Sequence, residues 1–344
     1  MSKKCVIFLV SVLFFISFLS PVFSPASAAT VKLTYSNFFP PSHAQSKLAE
    51  KWSQAVEERT DGRVKIDYFP GQTLTKGKVC YDGVENGLSD LGMSVLGYTR
   101  GRFPLMEVGD LPLGHGNSRV ATAVVNEIYS TMKPAEFSGV EVMYLHAHGP
   151  GLLHTRKKAV RTMEDLKGMK IRCHGANLEI IKALGGTPVA KSMPMTYQLL
   201  QKGVVDGSVY PMEANKGWKL GEVIDYATLC YPAAYTTTFF VVMNKDKWAL
   251  ISDSDQRIIK ELNKEWIRKT GEEWDSSDKE GFKFLAEKKV ELITLDPAES
   301  ARWARAVEPV LDAYVAKSQA KGLDGAKALD VARAAVTKYR KIYK

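Results

Sequence analysis

Between residues 31 and 95 the hydrophobic pattern switches repeatedly between a period of two and a helical period, and few folds accommodate that. In "VKLTYSNF" (31–38), Val31, Leu33 and Tyr35 recur at every second position, as side chains on one face of a strand do, and Pro40-Pro41 ends the run. Ser42 and Gln45 then have capping-box spacing, and Ala44, Leu48, Trp52 and Val56 mark one helix face that stops before Gly62. "RVKIDYFPG" (63–71) returns to a period of two through Val64, Ile66 and Tyr68. A helix around Lys78 to Asn86 and a strand from Asp90 to Val95 follow. Such alternation predicts an α/β fold with a parallel, doubly wound sheet, because parallel neighbours are joined through crossovers and these crossovers read as helices.

The pattern continues with a helix opening at Asn117, a strand over "VEVMYLHAH" (140–148) and a helix near Met195 to Lys202. A short strand in "VVDGSVYP" (204–211) and the β-prone run "TTTFFVVMN" (236–244) come next. From Lys245 the spacing is mainly helical: a capped helix from Ser254 through the Trp266 region, then Ala298 to Lys317 and Ala326 to Tyr343. No repeat, low-complexity tract or flexible linker intervenes, so one large or two medium domains are expected, two lobes being hinged rather than tethered.

At the amino terminus, Lys3 and Lys4 precede the apolar run Val6 to Phe23, and Ala26-Ser27-Ala28 offers small residues for cleavage. This reads as a secretory signal peptide over residues 1–28, cut near Ala28, and implies a released, periplasmic protein. No later stretch has the roughly 18 uninterrupted apolar residues of a membrane span. The net charge of +9 is spread through the helices without interleaved aromatic residues, which argues against a nucleic-acid partner but favours capture of anions. Cys80, Cys173 and Cys230 are widely spaced, so at most one disulfide is expected after cleavage.

Motifs for catalysis or cofactors are not found: no G-x-S-x-G, P-loop, H-E-x-x-H or C-x-x-C occurs. His146, His148 and His154 form the best metal candidate, but no carboxylate or cysteine accompanies them at fitting spacing. Cys173 and His174 are adjacent in a strand and so point to opposite faces, which disfavours a nucleophile–base pair. No metal or cofactor is therefore expected. More informative is "MKIRCHGANLEIIKALGGTPV" (169–189), in which Arg172 sits in a short apolar strand that runs into a helix from Ala176 to Leu184. Ligands of open α/β sheets collect at strand carboxyl ends, and a guanidinium fork matches a carboxylate. A structural ion pair with an acid such as Asp206 is the competing reading. Phe38, Phe39, Tyr98, Tyr210, Trp218, Tyr235 and Phe239 fall at strand ends and loop entries, either as core or as walls of a cleft.

Four blocks carry a resemblance: 39–74, 163–189, "YQLLQKGVVDGSVYPME" (197–213) and "FFVVMNKDKW" (239–248). In this order they resemble the solute-binding proteins of tripartite ATP-independent periplasmic (TRAP) transporters, of the C4-dicarboxylate-binding-protein-like family. The resemblance implies a two-lobed periplasmic binding fold, type II-like, with hinge strands and long C-terminal helices. Lobe I would comprise 29–152 with a return segment near 245–285, and lobe II 153–244 with the helices of 286–344. It also implies capture, without catalysis, of a small organic carboxylate and its delivery to the membrane subunits of an ion-gradient-driven permease. The arginine of the family's "LKGxKxR" block, here Arg172, would clamp the carboxylate.

Two departures bear on the ligand. Sialic-acid-type members carry an asparagine where this chain has Tyr210, and a second arginine where it has Leu152 and Leu153. Replacing polar partners by apolar ones argues for an aromatic or branched hydrophobic acid, or a 2-oxo acid, with Trp218 and Phe39 as walls. Asn37 and Gln72 are expected as polar contacts from the opposite lobe. A binding protein of an ATP-driven importer, a ligand sensor and a secreted enzyme are the alternatives.

Overall fold

The computed structural model describes residues 30–344, so the expected signal peptide lies outside the described residues. β1 (Val31–Asn37), β2 (Val64–Phe69) and β3 (Leu91–Val95) form where the period of two occurs, and β1 pairs in parallel with the other two. Helix Ala44–Arg59 makes the first crossover. Its N-cap is His43 rather than the expected Ser42: the His43 Nδ1 accepts the Gln45 N–H at 3.2 Å.

After β4 (Val140–Ala147) the chain passes directly into a second sheet. That sheet contains β5 (Gly151–Thr155), β6 (Lys170–Cys173), β7 (Thr187–Ala190), β8 (Gly207–Pro211) and β9 (Tyr226–Leu229). β10 (Thr238–Asn244) then returns to the first sheet, and β11 (Glu291–Thr294) closes one edge of the second. The orders are β2-β1-β3-β10-β4 and β11-β9-β5-β8-β6-β7. The fold is a two-lobed α/β periplasmic binding fold, but both sheets are mixed rather than wholly parallel. β10 runs antiparallel to β3 and β4, and β5 antiparallel to β8 and β9. The cause is the direct crossing: β5 is reached through 148–150 and β10 through 230–237, neither by way of an α-helical crossover, and each enters against its neighbours.

The first crossing, 148–150, lies beside 235–237, the last part of the second crossing, 230–237. Gly151 and Tyr235 form an isolated antiparallel bridge, with the Gly151 N–H donating to the Tyr235 carbonyl at 2.8 Å. Side chains at position 151 are excluded because the Tyr235 ring occupies the space of a Cβ. Sheet membership differs from the expected division of the chain: 152/153 falls inside β5, and β10 belongs with the first sheet although it precedes 245. The two final helices also separate. Pro297–Gln319 packs on the second sheet's helix Asn177–Ala183, whereas Gly325–Ile342 packs along Ser118–Met132 beside β4.

Helix Asp253–Glu287 braces both halves. It packs on Ala44–Arg59 and β4 of the first half and on Ala214–Gly217 after β8 of the second. Its indoles are anchored by hydrogen bonds, Trp266 Nε1 to the Leu48 carbonyl at 3.0 Å and Trp274 Nε1 to His146 Nδ1 at 3.0 Å. Where the helix crosses the end of β8 it carries Gly281, and a Cβ there would run into the Met212 carbonyl oxygen. Alanine normally favours a helix over glycine by about 1 kcal/mol. At this crossing, overpacking against rigid backbone opposes that gain by roughly 1–3 kcal/mol. Gly281→Ala is therefore expected to lower the calorimetric unfolding midpoint; a raised midpoint would show that helix propensity dominates.

Candidate ligand-binding site

β6 lies between β7 and β8, and its register places Arg172 beside Val189 and Ser208. The side chain is 1% exposed. Its Nε donates to the Lys191 carbonyl at 2.8 Å, its Nη1 lies 3.9 Å from the Met193 sulfur, and its Nη2 is buried without a partner. Asp206, the acid considered as a structural partner, instead accepts the Lys170 backbone N–H at 2.7 Å. No carboxylate among the described residues pairs with Arg172. A buried guanidinium left so is costly unless an anion completes it.

Arg172, Tyr210, Trp218, Phe39, Tyr235 and Phe239 line one cavity, together with Phe38, Tyr98, His148, His174, Met193, Glu213 and Trp274. The cavity has a polar end at Arg172, where Tyr98 reaches across from the first sheet and its hydroxyl accepts the Met193 N–H at 2.9 Å. The turns carrying Tyr98 and His174 touch through glycines: a Cβ on Gly97 would stand 3.0 Å from the Gly175 Cα. The other end is aromatic. Phe38 stacks on Trp218 at 6.1 Å and on Phe239 at 6.3 Å, and Phe39 lies 5.9 Å from Trp218 and 5.8 Å from Trp274.

Burial sets the protonation of the polar end. It pushes His148 down to about 4 and His174 well below the usual imidazole range, the Arg172 charge adding to the latter. Burial likewise raises the Tyr98, Tyr210 and Tyr235 phenols, which stay protonated. Among the described residues Arg172 is thus the one cation lining the cavity near neutral pH, and the imidazoles and phenols beside it are neutral groups able to hydrogen-bond.

Asn37 and Gln72 are not brought to the cavity. Asn37 is buried, its Nδ2 donating to the Tyr68 hydroxyl at 2.8 Å and its Oδ1 accepting the Phe39 N–H at 3.0 Å. Gln72 has a left-handed backbone (φ 65°), and its Oε1 accepts the Gly77 N–H at 3.1 Å. Both therefore shape the loop that presents Phe38 and Phe39. Leu152 and Leu153 belong to the core rather than the cavity. His146, His148 and His154 do not converge: His146 stacks on Phe239 at 4.8 Å, His154 stacks on Tyr210 at 3.8 Å, and His148 donates to the Gly149 carbonyl. Among the described residues no group of three His, Cys, Asp or Glu side chains is placed to hold a metal ion. Cys80, Cys173 and Cys230 are buried and unpaired.

Sequence reasoning missed Glu213, Trp274, Met193 and the cavity-lining positions of His148 and His174. Only Glu213 had a nearby signal, standing two residues after the Tyr210-Pro211 strand end; Trp274 comes from a helix remote in sequence.

The match to known proteins covers nearly all of the described chain. Residues 35–318 fit the DctP family, bacterial extracellular solute-binding protein family 7. Among solved structures, a TRAP solute-binding protein from Rhodoferax ferrireducens in complex with copurified benzoate is 28% identical, with TM-score 0.86 over 92% of this chain and 100% of that one. Another from Bordetella bronchiseptica, with bound (R)- and (S)-mandelate, is 31% identical, with TM-score 0.84 over 90% of this chain and 99% of that one. The 2,3-diketo-L-gulonate-binding periplasmic protein YiaO of Escherichia coli is 27% identical over 69% of this chain and 73% of its own length. The chain belongs to the DctP family and is a solute-binding protein of the TRAP transporter type.

Proposed function

We propose that this protein captures a small aromatic monocarboxylate outside the cytoplasm and delivers it to the membrane subunits of a TRAP permease. The observation that carries the reading is the buried Arg172 with an unpartnered Nη2, facing a cavity whose remaining walls are mostly aromatic. One carboxylate would satisfy the guanidinium through two charge-assisted hydrogen bonds, and a ring would fill the space among Phe38, Phe39, Phe239 and Trp218. The relatives with benzoate and mandelate support an aryl acid. A hydroxyl-rich sugar acid, as the name of YiaO indicates for that protein, would leave its hydroxyls against these rings unpaired.

Capture follows from the two-sheet construction. Arg172, His174 and Tyr210 come from the second half, and Phe38, Phe39 and Tyr98 from the first. A ligand touching both favours the closed arrangement by its differential affinity, with 148–150 and 235–237 as the flexing segments. The same arrangement would serve an ATP-driven importer or a sensor; the family membership favours the TRAP permease.

The closing experiment is isothermal titration calorimetry with aryl, branched, 2-oxo and sugar acids. Aryl monocarboxylates are expected to bind tightest and to be recovered chemically unchanged. Preference for sugar acids would overturn the aromatic reading, and turnover would favour an enzyme. Arg172→Lys keeps the charge but loses the planar fork, and a loss of about tenfold or more in affinity is expected. Unchanged affinity would remove Arg172 from the clamp. Trp218→Ala is expected to weaken aryl acids more than acetate or pyruvate, by about 1 kcal/mol or more from the lost ring contact; equal weakening would place the ring elsewhere.

A further inference from the structure

Glu213 is the one carboxylate lining the cavity among the described residues. Arg172 pairs with Ser208 across parallel β6 and β8, so Glu213 stands five residues further along the direction of those strands. β8 ends at Pro211, and Glu213 follows in a turn beside His43, whose ring lies 4.2 Å from Phe39 and 5.8 Å from Trp218, which sets Glu213 at the aromatic end of the cavity. Its backbone is held there: the Glu213 N–H donates to Asp278 Oδ1 at 2.9 Å.

The carboxylate is also approached from the first half of the molecule. His43 Nε2 lies 3.0 Å from Glu213 Oε2, with the two side chains 1% and 3% exposed. His43 Nδ1 accepts the Gln45 N–H as the helix cap, so Nε2 is the ring nitrogen turned toward Glu213, close to it but without a directed hydrogen bond. Position 217 leaves room for this pair only as glycine, since a Cβ would stand 2.6 Å from Glu213 Oε2 and 2.8 Å from His43 Nε2. The imidazole stands close without a directed hydrogen bond to the carboxylate, which therefore keeps acceptor capacity in an otherwise aromatic wall.

We propose that Glu213 is a specificity-determining residue. It selects aromatic monocarboxylates that carry a hydrogen-bond donor, a phenolic hydroxyl or aryl amine, on the side of the ring remote from Arg172, and it rejects dicarboxylates. The proposal rests on the aryl-acid reading of the cavity. An ionised carboxylate only accepts hydrogen bonds, so a bare ring leaves it unsatisfied, whereas a donor completes it. A second ligand carboxylate would meet like charge where water is scarce, a repulsive element that separates mono- from dicarboxylates.

The test is calorimetric titration of the wild-type protein and of Glu213→Gln and Glu213→Ala with benzoate, 3- and 4-hydroxybenzoate and benzene-1,4-dicarboxylate. In the wild type, one hydroxybenzoate is expected to bind about tenfold or more tighter than benzoate, as one hydrogen bond to a charged group allows, and the dicarboxylate to give no heat. Removing the charge or the acceptor should shrink that ratio several-fold and admit the dicarboxylate. The benzoate value also reports whether each variant is folded. A wild-type ratio near one, or a ratio unaffected in variants that still bind benzoate, overturns the proposal while leaving the aryl-acid reading intact. If no aryl acid binds the wild type, both fall.

Discussion

The buried guanidinium of Arg172 is the constraint on which the site depends. A charge that is 1% exposed, with one nitrogen on a carbonyl and another on nothing, is tolerated only in a structure built to receive an anion. The sheet supplies the means. β6 is flanked on both sides, so its backbone is rigid; the Lys191 carbonyl that follows β7 holds Nε, and the fork is aimed into the cavity. Burial lowers both neighbouring imidazoles, so they stay neutral and supply hydrogen bonds without competing for the anion's charge.

The rest of the fold brings a second wall to that arginine without fixing it permanently. Two strand crossings, the long helix Asp253–Glu287 and the turn between the two final helices connect the halves. The crossings are bridged at Gly151 and Tyr235, which keeps them moving together, and Tyr235 lines the cavity itself. Bending there would therefore be felt at the ligand. Across the mouth, the Tyr98 hydroxyl on the Met193 N–H stands beside aromatic contacts of Phe38 and Phe39 with Trp218. A ligand among these groups touches both halves, so its own contacts can decide the balance between open and closed arrangements.

Much of this was legible in the sequence, and what was not has identifiable causes. The strands of the first sheet and the helices after Lys245 carry clear periodicity, and Arg172 stands out as a charge in an apolar strand. β5, β7, β9 and β11 have four or five residues each, too few to show a period, and their partners are remote in sequence. The mixed pairing of β10 was hidden for a related reason: strand direction depends on how the chain arrives, not on the strand's composition. Of the residues expected at the site, the aromatic ones reach the cavity because strand ends and their loops converge there. Asn37 and Gln72 sit at comparable strand ends but turn to the backbone, because the loop that displays Phe38 and Phe39 needs its own polar groups satisfied.

His43 shows how far a local feature can extend. As N-cap of Ala44–Arg59 it satisfies a free N–H with Nδ1, a task serine or aspartate would do as well. Those residues have no second polar group on the far side of the ring. An imidazole capping through Nδ1 presents an N–H on Nε2, and its flat face packs on Phe39 at 4.2 Å. One residue thus ends a helix, supports an aromatic wall and faces Glu213 across the cleft. The cap that starts the first helix thus reaches the cavity's far wall: Arg172 and Glu213 both come from the second half, and the first half supplies the imidazole that faces the carboxylate.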